Sequence, residues 1–175
     1  MNSEAQAAED RFLAVVAENR LRILKVCHVY AWQPEELPDL YQEILIQVWR
    51  SLPKLKNQAY TNTWLYRVAL NTAISFGRKH KARREKTISH DHAMIQQLLD
   101  AKTSGEPAAD PRVAVLYQAI AKLDDMEKAV VTLFLEDLSY EQIAEVTGMT
   151  VSHAGVTLHR AKKKLSALME GGGHE

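Results

Sequence analysis

Apolar residues recur every three or four positions along most of this chain, and nowhere do they alternate over the stretch that a half-buried strand needs. The breakers agree with that period. Prolines fall at the edges of the periodic runs, and of the seven glycines only Gly77, Gly105, Gly148 and Gly155 precede the glycine-rich end. The chain is therefore expected to be all-α. Phe12, Val15, Val16, Leu21, Ile23, Leu24 and Val26 predict a long first helix over residues 7 to about 30 with one face buried. Pro34 and Pro38 then break the chain. A second helix is expected from 39 to about 52, with Asp39 as its cap and Pro53 as its stop. Residues 57–61 read as a loop, after which Thr61 or Asn62 caps a third helix running through Trp64, Leu65, Val68, Ala69 and Ile74 towards Arg84.

Periodicity fails over 85–111, where Thr, Ser, Gly and Pro collect around one expected helical turn at 94–99. Such a stretch behaves as a flexible coil whose ends lie on the order of 25 to 30 Å apart. The segments on either side are each long enough for a small helical core. The expected organisation is a helical domain at 1–86, a flexible linker at 87–111, a second small helical domain at 112–170 and a frayed tail at 171–175. In the second domain, 112–123 forms one helix, and Asp124-Asp125-Met126-Glu127 has the pattern of a capping box for the next. Ser139-Tyr140-Glu141-Gln142 is a second box. It opens a short helix that Gly148 ends in the left-handed conformation, and Thr150 caps a further helix through Val156, Leu158 and Leu165. This is the layout of a helix-turn-helix, whose second helix can enter a DNA major groove, although helix pairs of this kind also occur in proteins that never touch DNA.

Charge bears on that choice. The 22 basic and 22 acidic side chains cancel overall, yet residues 71–90 carry six basic and one acidic, and 91–150 carry four and eleven. Two basic runs, Arg78 to Arg84 and Arg160 to Lys164, each end a helical pattern, as a phosphate-gripping surface would. Hydrophobic residues at 46% and charged ones at 25% are the ordinary globular balance and exclude a wholly disordered chain. No apolar run reaches the roughly 20 residues of a membrane span, so no membrane insertion is expected. The start has no basic segment followed by an apolar one, so a cytoplasmic location is expected. The single cysteine, Cys27, admits no internal disulfide and reads as core packing beside His28. His90-Asp91-His92 lacks further partners for a metal, and Ser51-Leu52-Pro53-Lys54 matches the nucleophile pattern of penicillin-binding enzymes without its companion motifs. No phosphate loop, dinucleotide fingerprint or paired-histidine zinc motif is present, so no enzyme, cofactor or metal is expected.

Two spans now point to a family. Asp39-Leu40-Tyr41-Gln42-Glu43, Val48-Trp49-Arg50 and the run from Trp64 to Ala73 resemble the promoter-opening domain of bacterial sigma factors. Leu158-His159-Arg160-Ala161-Lys162, placed after a helix-turn-helix, resembles their second DNA-binding domain. Two such domains joined by a short linker resemble the extracytoplasmic-function (ECF) group. The resemblance implies a sigma region 2 helical bundle and a sigma region 4 helix-turn-helix. It also implies a subunit of RNA polymerase that directs promoter recognition and opening. Implied partners are core RNA polymerase, promoter DNA and an anti-sigma factor, with a monomer when free. The competing readings are a dimeric helix-turn-helix regulator acting without polymerase and a helical adaptor that binds no DNA.

By resemblance, polymerase docks on Asp39, Gln42, Glu43, Ile46, Gln47 and Arg50. All but Gln42 share by spacing a face opposite Tyr41, Leu45, Val48 and Leu52. The single-stranded minus-10 element falls to Leu55, Lys56, Asn57, Tyr60, Thr61 and Asn71, with Arg78, Lys79, Arg83 and Arg84 following phosphates. Here Tyr60 stacks on an unstacked base and Asn71 bonds its edge, while Trp64 stays structural. Family members often carry an aromatic where Leu55 stands, which bears on the preferred base. The minus-35 duplex falls to Thr150, Ser152, His153, Val156, Thr157, His159, Arg160 and Lys163. Arg160 and Lys163 act as backbone anchors, and Val156 or Thr157 meets a thymine methyl. Where the family commonly has basic, small polar and basic residues before Leu158, this chain has Gly155, Val156 and Thr157, which predicts an unusual minus-35 sequence.

Overall fold

A computed structural model describes residues 2–84 and 110–171, and among these it holds seven α-helices and no strand. The chain divides into two compact units, Met1–Ala31 with Glu35–Lys79 and Trp32–Pro34 with His80–Glu175. The linker expected at 87–111 and its turn at 94–99 lie almost wholly outside the described residues, as do His90, His92 and the last four residues.

In the first unit α1 spans Asn2–Tyr30, α2 spans Glu36–Ser51 and α3 spans Thr61–Arg84. The first helix starts earlier than its apolar stripe, because the acidic, alanine-rich residues ahead of the stripe are good helix formers. Asp39 does not cap α2. The helix begins three residues upstream, after Glu35, which makes no side-chain capping bond. Pro38 thus occupies the first turn, where its missing N–H has no intrahelical partner to lose. Leu40, Ile44 and Val48, one turn apart, are the buried line of α2, which packs on α1, and α1 in turn buries Ile23, Val26 and Cys27. Tyr41 and Leu45, expected on that line, flank it half-buried. The third helix buries Leu65, Tyr66, Ala69, Leu70, Ala73 and Phe76. Each fully buried Leu or Ile contributes about 1.5–3 kcal/mol.

The expected loop at 57–61 is mostly a 3₁₀ turn, Gln58–Tyr60, following another at Leu52–Lys54. Asn57 caps it, its Oδ1 accepting from the Ala59 N–H at 3.0 Å. Thr61 is not a cap for α3, since its hydroxyl donates back to the Gln58 carbonyl at 2.7 Å.

In the second unit α4 spans Pro111–Ala121, α5 Asp125–Leu135, α6 Tyr140–Thr147 and α7 Val151–Gly171. Asp110 caps α4 and Pro111 takes its first position. The Arg112 side chain, bonded to Asp110, holds that carboxyl below the usual carboxylate range. Both expected capping boxes are present, on Asp124 with Glu127 and on Ser139 with Gln142. α7 packs against α4, α5 and α6, burying Ala154, Leu158, Ala161 and Leu165 around Ile120, Val130, Leu133 and Ile143. Glu127 serves twice. Its Oε2 accepts from the Asp124 N–H at 3.2 Å, and its Oε1 accepts from Lys164 Nζ of α7 at 2.5 Å, tying the two helices together.

Candidate nucleic-acid and polymerase interfaces

On α2 the line opposite Leu40, Ile44 and Val48 carries Asp39, Gln42, Ile46 and Arg50, all exposed, with Glu43 and Gln47 half-buried beside them. Gln47 Nε2 donates to Glu43 Oε1 at 3.0 Å, which fixes two of the six side chains to each other. Ile46 is 38% exposed in the middle of this polar face. Trp49 extends the apolar part of the surface. Its ring is half in solvent and meets Phe12 of α1 edge-to-face, centroids 5.2 Å apart. Sequence reasoning quoted Trp49 only as part of a motif, although its position one residue past the buried Val48 signals an outward ring.

The segment after α2 is anchored from α1. Arg11 Nη2 donates to the Leu55 carbonyl at 2.9 Å, and Arg22 Nη1 donates to Asn19 Oδ1 at 2.7 Å and to Asn62 Oδ1 at 3.4 Å. These residues border a cavity of about 430 Å³ with Glu18, Gln58 and Thr61. Neither arginine was singled out from sequence, where nothing pairs them with a loop some 40 residues away. Leu55 and Thr61 are half-buried, while Lys56, Asn57 and Tyr60 are exposed. Asn57 spends its carboxamide oxygen on the turn. Asn71, Arg78 and Lys79 are exposed on α3. At 1.5 Å per residue Asn71 lies roughly 15 Å along the helix from Thr61, which separates it from the exposed Tyr60 ring. Arg83 and Arg84 close α3, and their side chains lie outside the described residues.

The turn between α6 and α7 has the expected geometry. Gly148 adopts φ 78°, and the Thr150 hydroxyl accepts from the His153 N–H at 3.1 Å, so Thr150 is committed to the cap. Along α7 the exposed Ser152, Val156, His159 and Lys163 recur at i, i+4, i+7 and i+11 and form the outward line. Thr157 is a correction. It is only 9% exposed, because its position three residues after Ala154 and four before Ala161 falls on the buried arc. With His153 and Arg160 it borders a cleft of about 700 Å³ closed by Asp124, Asp125, Gly148 and Met149. Of the two residues expected to meet a thymine methyl, Val156 alone is presented.

Residues 15–83 match the family model for sigma-70 region 2, and residues 114–165 match that for sigma-70 region 4. The chain is 29% identical over 136 residues to RNA polymerase sigma factor YlaC of Bacillus subtilis, covering 77% of this chain and 78% of that one. It is 28% identical over 137 residues to the ECF RNA polymerase sigma-E factor of Haemophilus influenzae, covering 74% and 72%. The protein belongs to the ECF sigma factors. Its fold is that of CnrH, solved in complex with the cytosolic domain of CnrY, at TM-score 0.67 and 23% identity, with 95% of this chain and 94% of that chain covered. RpoE of Bartonella quintana, solved with the anti-sigma factor NepR, matches at TM-score 0.67 and 16% identity over 93% and 96%.

The basic run that closes region 4 of this sigma factor is divided among three tasks. Lys162 Nζ lies 3.9 Å from the centroid of the Phe134 ring, and Lys164 is held by Glu127. Arg160 and Lys163 remain turned to solvent. The resemblance singles out Arg160 and Lys163 from this run, while the partners of Lys162 and Lys164, on another helix, are not legible in local spacing. Cys27 is buried in region 2, and burial pushes its thiol up to about 12, which leaves it unreactive in the fold. No helix among the described residues is long and apolar enough to cross a membrane.

Proposed function

We propose that this ECF sigma factor acts in the cytoplasm as a dissociable initiation subunit, binding core RNA polymerase and directing promoter recognition and opening. The observation that carries the reading is the pair of family matches, region 2 before region 4 on one chain. The boundaries 1–86, 87–111 and 112–170 follow as a core-binding and minus-10 domain, a linker and a minus-35 domain. Ile46, framed by Asp39, Gln42 and Arg50 with Trp49 alongside, supplies an apolar centre in a charged rim, the make-up of a transient protein interface. Tyr60 offers an exposed ring for an unstacked base, Asn71 a donor and acceptor for a base edge, and Arg78 and Lys79 cations for phosphate. Arg83 and Arg84 extend that track by sequence.

On region 4 the outward line of α7 enters the minus-35 major groove, with Ser152, Val156 and His159 towards bases and Arg160 and Lys163 towards phosphates. RpoE of Bartonella quintana was captured with the anti-sigma factor NepR, and a partner of that kind is proposed here. The free protein is taken as a monomer, and no step of this role asks the chain itself for catalysis. The test is gel filtration of the purified protein with core RNA polymerase, followed by transcription from a genomic promoter library. Co-elution with selective initiation is expected. Failure to bind core, with binding to a palindromic duplex as a dimer, would replace this reading by the dimeric regulator.

A further inference from the structure

Gly155 stands inside α7, a 21-residue helix, where glycine is one of the poorest helix formers. Nothing among the described residues calls for it. A Cβ built at Gly155 meets no heavy atom within 4 Å, and positive φ among the described glycines is confined to Gly148, whose turn requires it. The position is one turn after Val151 and one turn before His159, on the edge of the outward line. Its neighbour on that turn is Val156, 48% exposed, a short branched side chain with no polar atom. The middle turn of the outward face is therefore a shallow notch, bare at Gly155 and apolar at Val156, between Ser152 on one turn and His159 on the next. Its backbone N–H groups are spent within the helix, so the notch offers van der Waals contact only. In the major groove the one apolar feature a base pair presents is the C5-methyl of thymine.

We propose that Gly155 is a specificity-determining residue: with Val156 it forms a notch that seats a thymine methyl of the minus-35 duplex and lets the helix backbone approach the base edge. This rests on the minus-35 reading above. The protein forgoes helix stability at Gly155 in exchange for that approach, so restoring a methyl there separates stability from recognition.

The test uses holoenzyme assembled from core polymerase with the wild-type chain, with Gly155→Ala or with Val156→Ser, on a promoter selected by the wild type. Each minus-35 thymine is replaced singly by deoxyuridine. Expected are a loss of about fourfold for the wild type at one thymine, the value of one methyl group, and no further loss there for either variant. Gly155→Ala is expected to melt a few degrees higher while its minus-35-dependent initiation falls on the order of tenfold, the size of one lost base contact. Unchanged initiation by Gly155→Ala, or a wild type indifferent to every deoxyuridine, overturns the proposal. If scrambling the whole minus-35 element leaves the wild type unaffected, the minus-35 reading itself is wrong and the notch falls with it.

Discussion

The bond between Glu127 and Lys164 joins two groups in unlike surroundings, and that asymmetry sets what each substitution costs. The Glu127 side chain is 8% exposed and that of Lys164 is 56% exposed. Replacing Glu127 by Gln keeps the shape and an oxygen for the Asp124 N–H, and it releases an ammonium that water already reaches. The loss is one half-screened ion pair, about 0.5–1 kcal/mol. Replacing Lys164 by Met strands a buried carboxylate with the Asp124 N–H as its remaining hydrogen-bond donor among the described residues. That leaves a charged acceptor short of hydrogen bonds, at a cost of about 2–3 kcal/mol. With both replaced no charge is stranded, and the double variant is expected close to Glu127→Gln alone.

The assay is native-state hydrogen exchange of the buried α5 and α7 amides in the full-length protein, which reads the second unit without interference from the first. The expected order of destabilisation is Lys164→Met well above Glu127→Gln, with a coupling of about 2–3 kcal/mol in the cycle, the whole cost of Lys164→Met. Equal costs, or a larger cost for Glu127→Gln, would refute the reasoning, because they would mean that the carboxylate is solvated despite its burial.

Arg160→Ala and Lys163→Ala are each expected to weaken minus-35 binding across sequences and to lower the salt slope by about one, whereas Lys162→Ala loses about 0.5–1 kcal/mol of stability from the ring contact and leaves the slope nearly unchanged; titrations at several salt concentrations, with melting curves, separate the two. Ile46→Asp is expected to reduce co-elution with core polymerase at least tenfold while leaving the melting temperature within the scatter of surface substitutions. Cys27 should resist iodoacetamide at pH 8 and react at the rate of unfolding. Because burial raises its thiol from the ordinary 9.0 to about 12, the unfolded chain gives up its proton first, and stability contributed by this group is full below pH 9 and lost between pH 9 and 12. A Cys27→Ala variant, compared by urea unfolding at pH 8 and pH 10, should show a shallower fall.

What the sequence disclosed was the part written in short range. Both capping boxes, the left-handed Gly148 and the Thr150 cap depend on residues within four positions of one another, and each forms as its spacing implies. The start of α2 escaped because Pro38 reads as a breaker, and a proline in a first turn gives the same signal while costing nothing. Thr157 escaped for another reason. Its place on the reading face came by analogy with the family, while the chain's own buried alanines at 154 and 161 already put it on the inner arc.

The basic run at the end of region 4 carries this argument furthest. Four cations lie within five residues, and local sequence treats them alike. A helix does not, because each step of about 100° hands the next side chain to a different neighbour. Lys162 is delivered to Phe134 and Lys164 to Glu127, partners placed by the packing of α5 on α7. Arg160 and Lys163 stay exposed among the described residues, Arg160 at the rim of the cleft beside Asp124 and Asp125. A phosphate-binding surface counted from charge would thus have been overestimated twofold. The other two, Lys162 and Lys164, tie α7 to its support, so substituting them should change how firmly the proposed reading face is presented before it changes what is read.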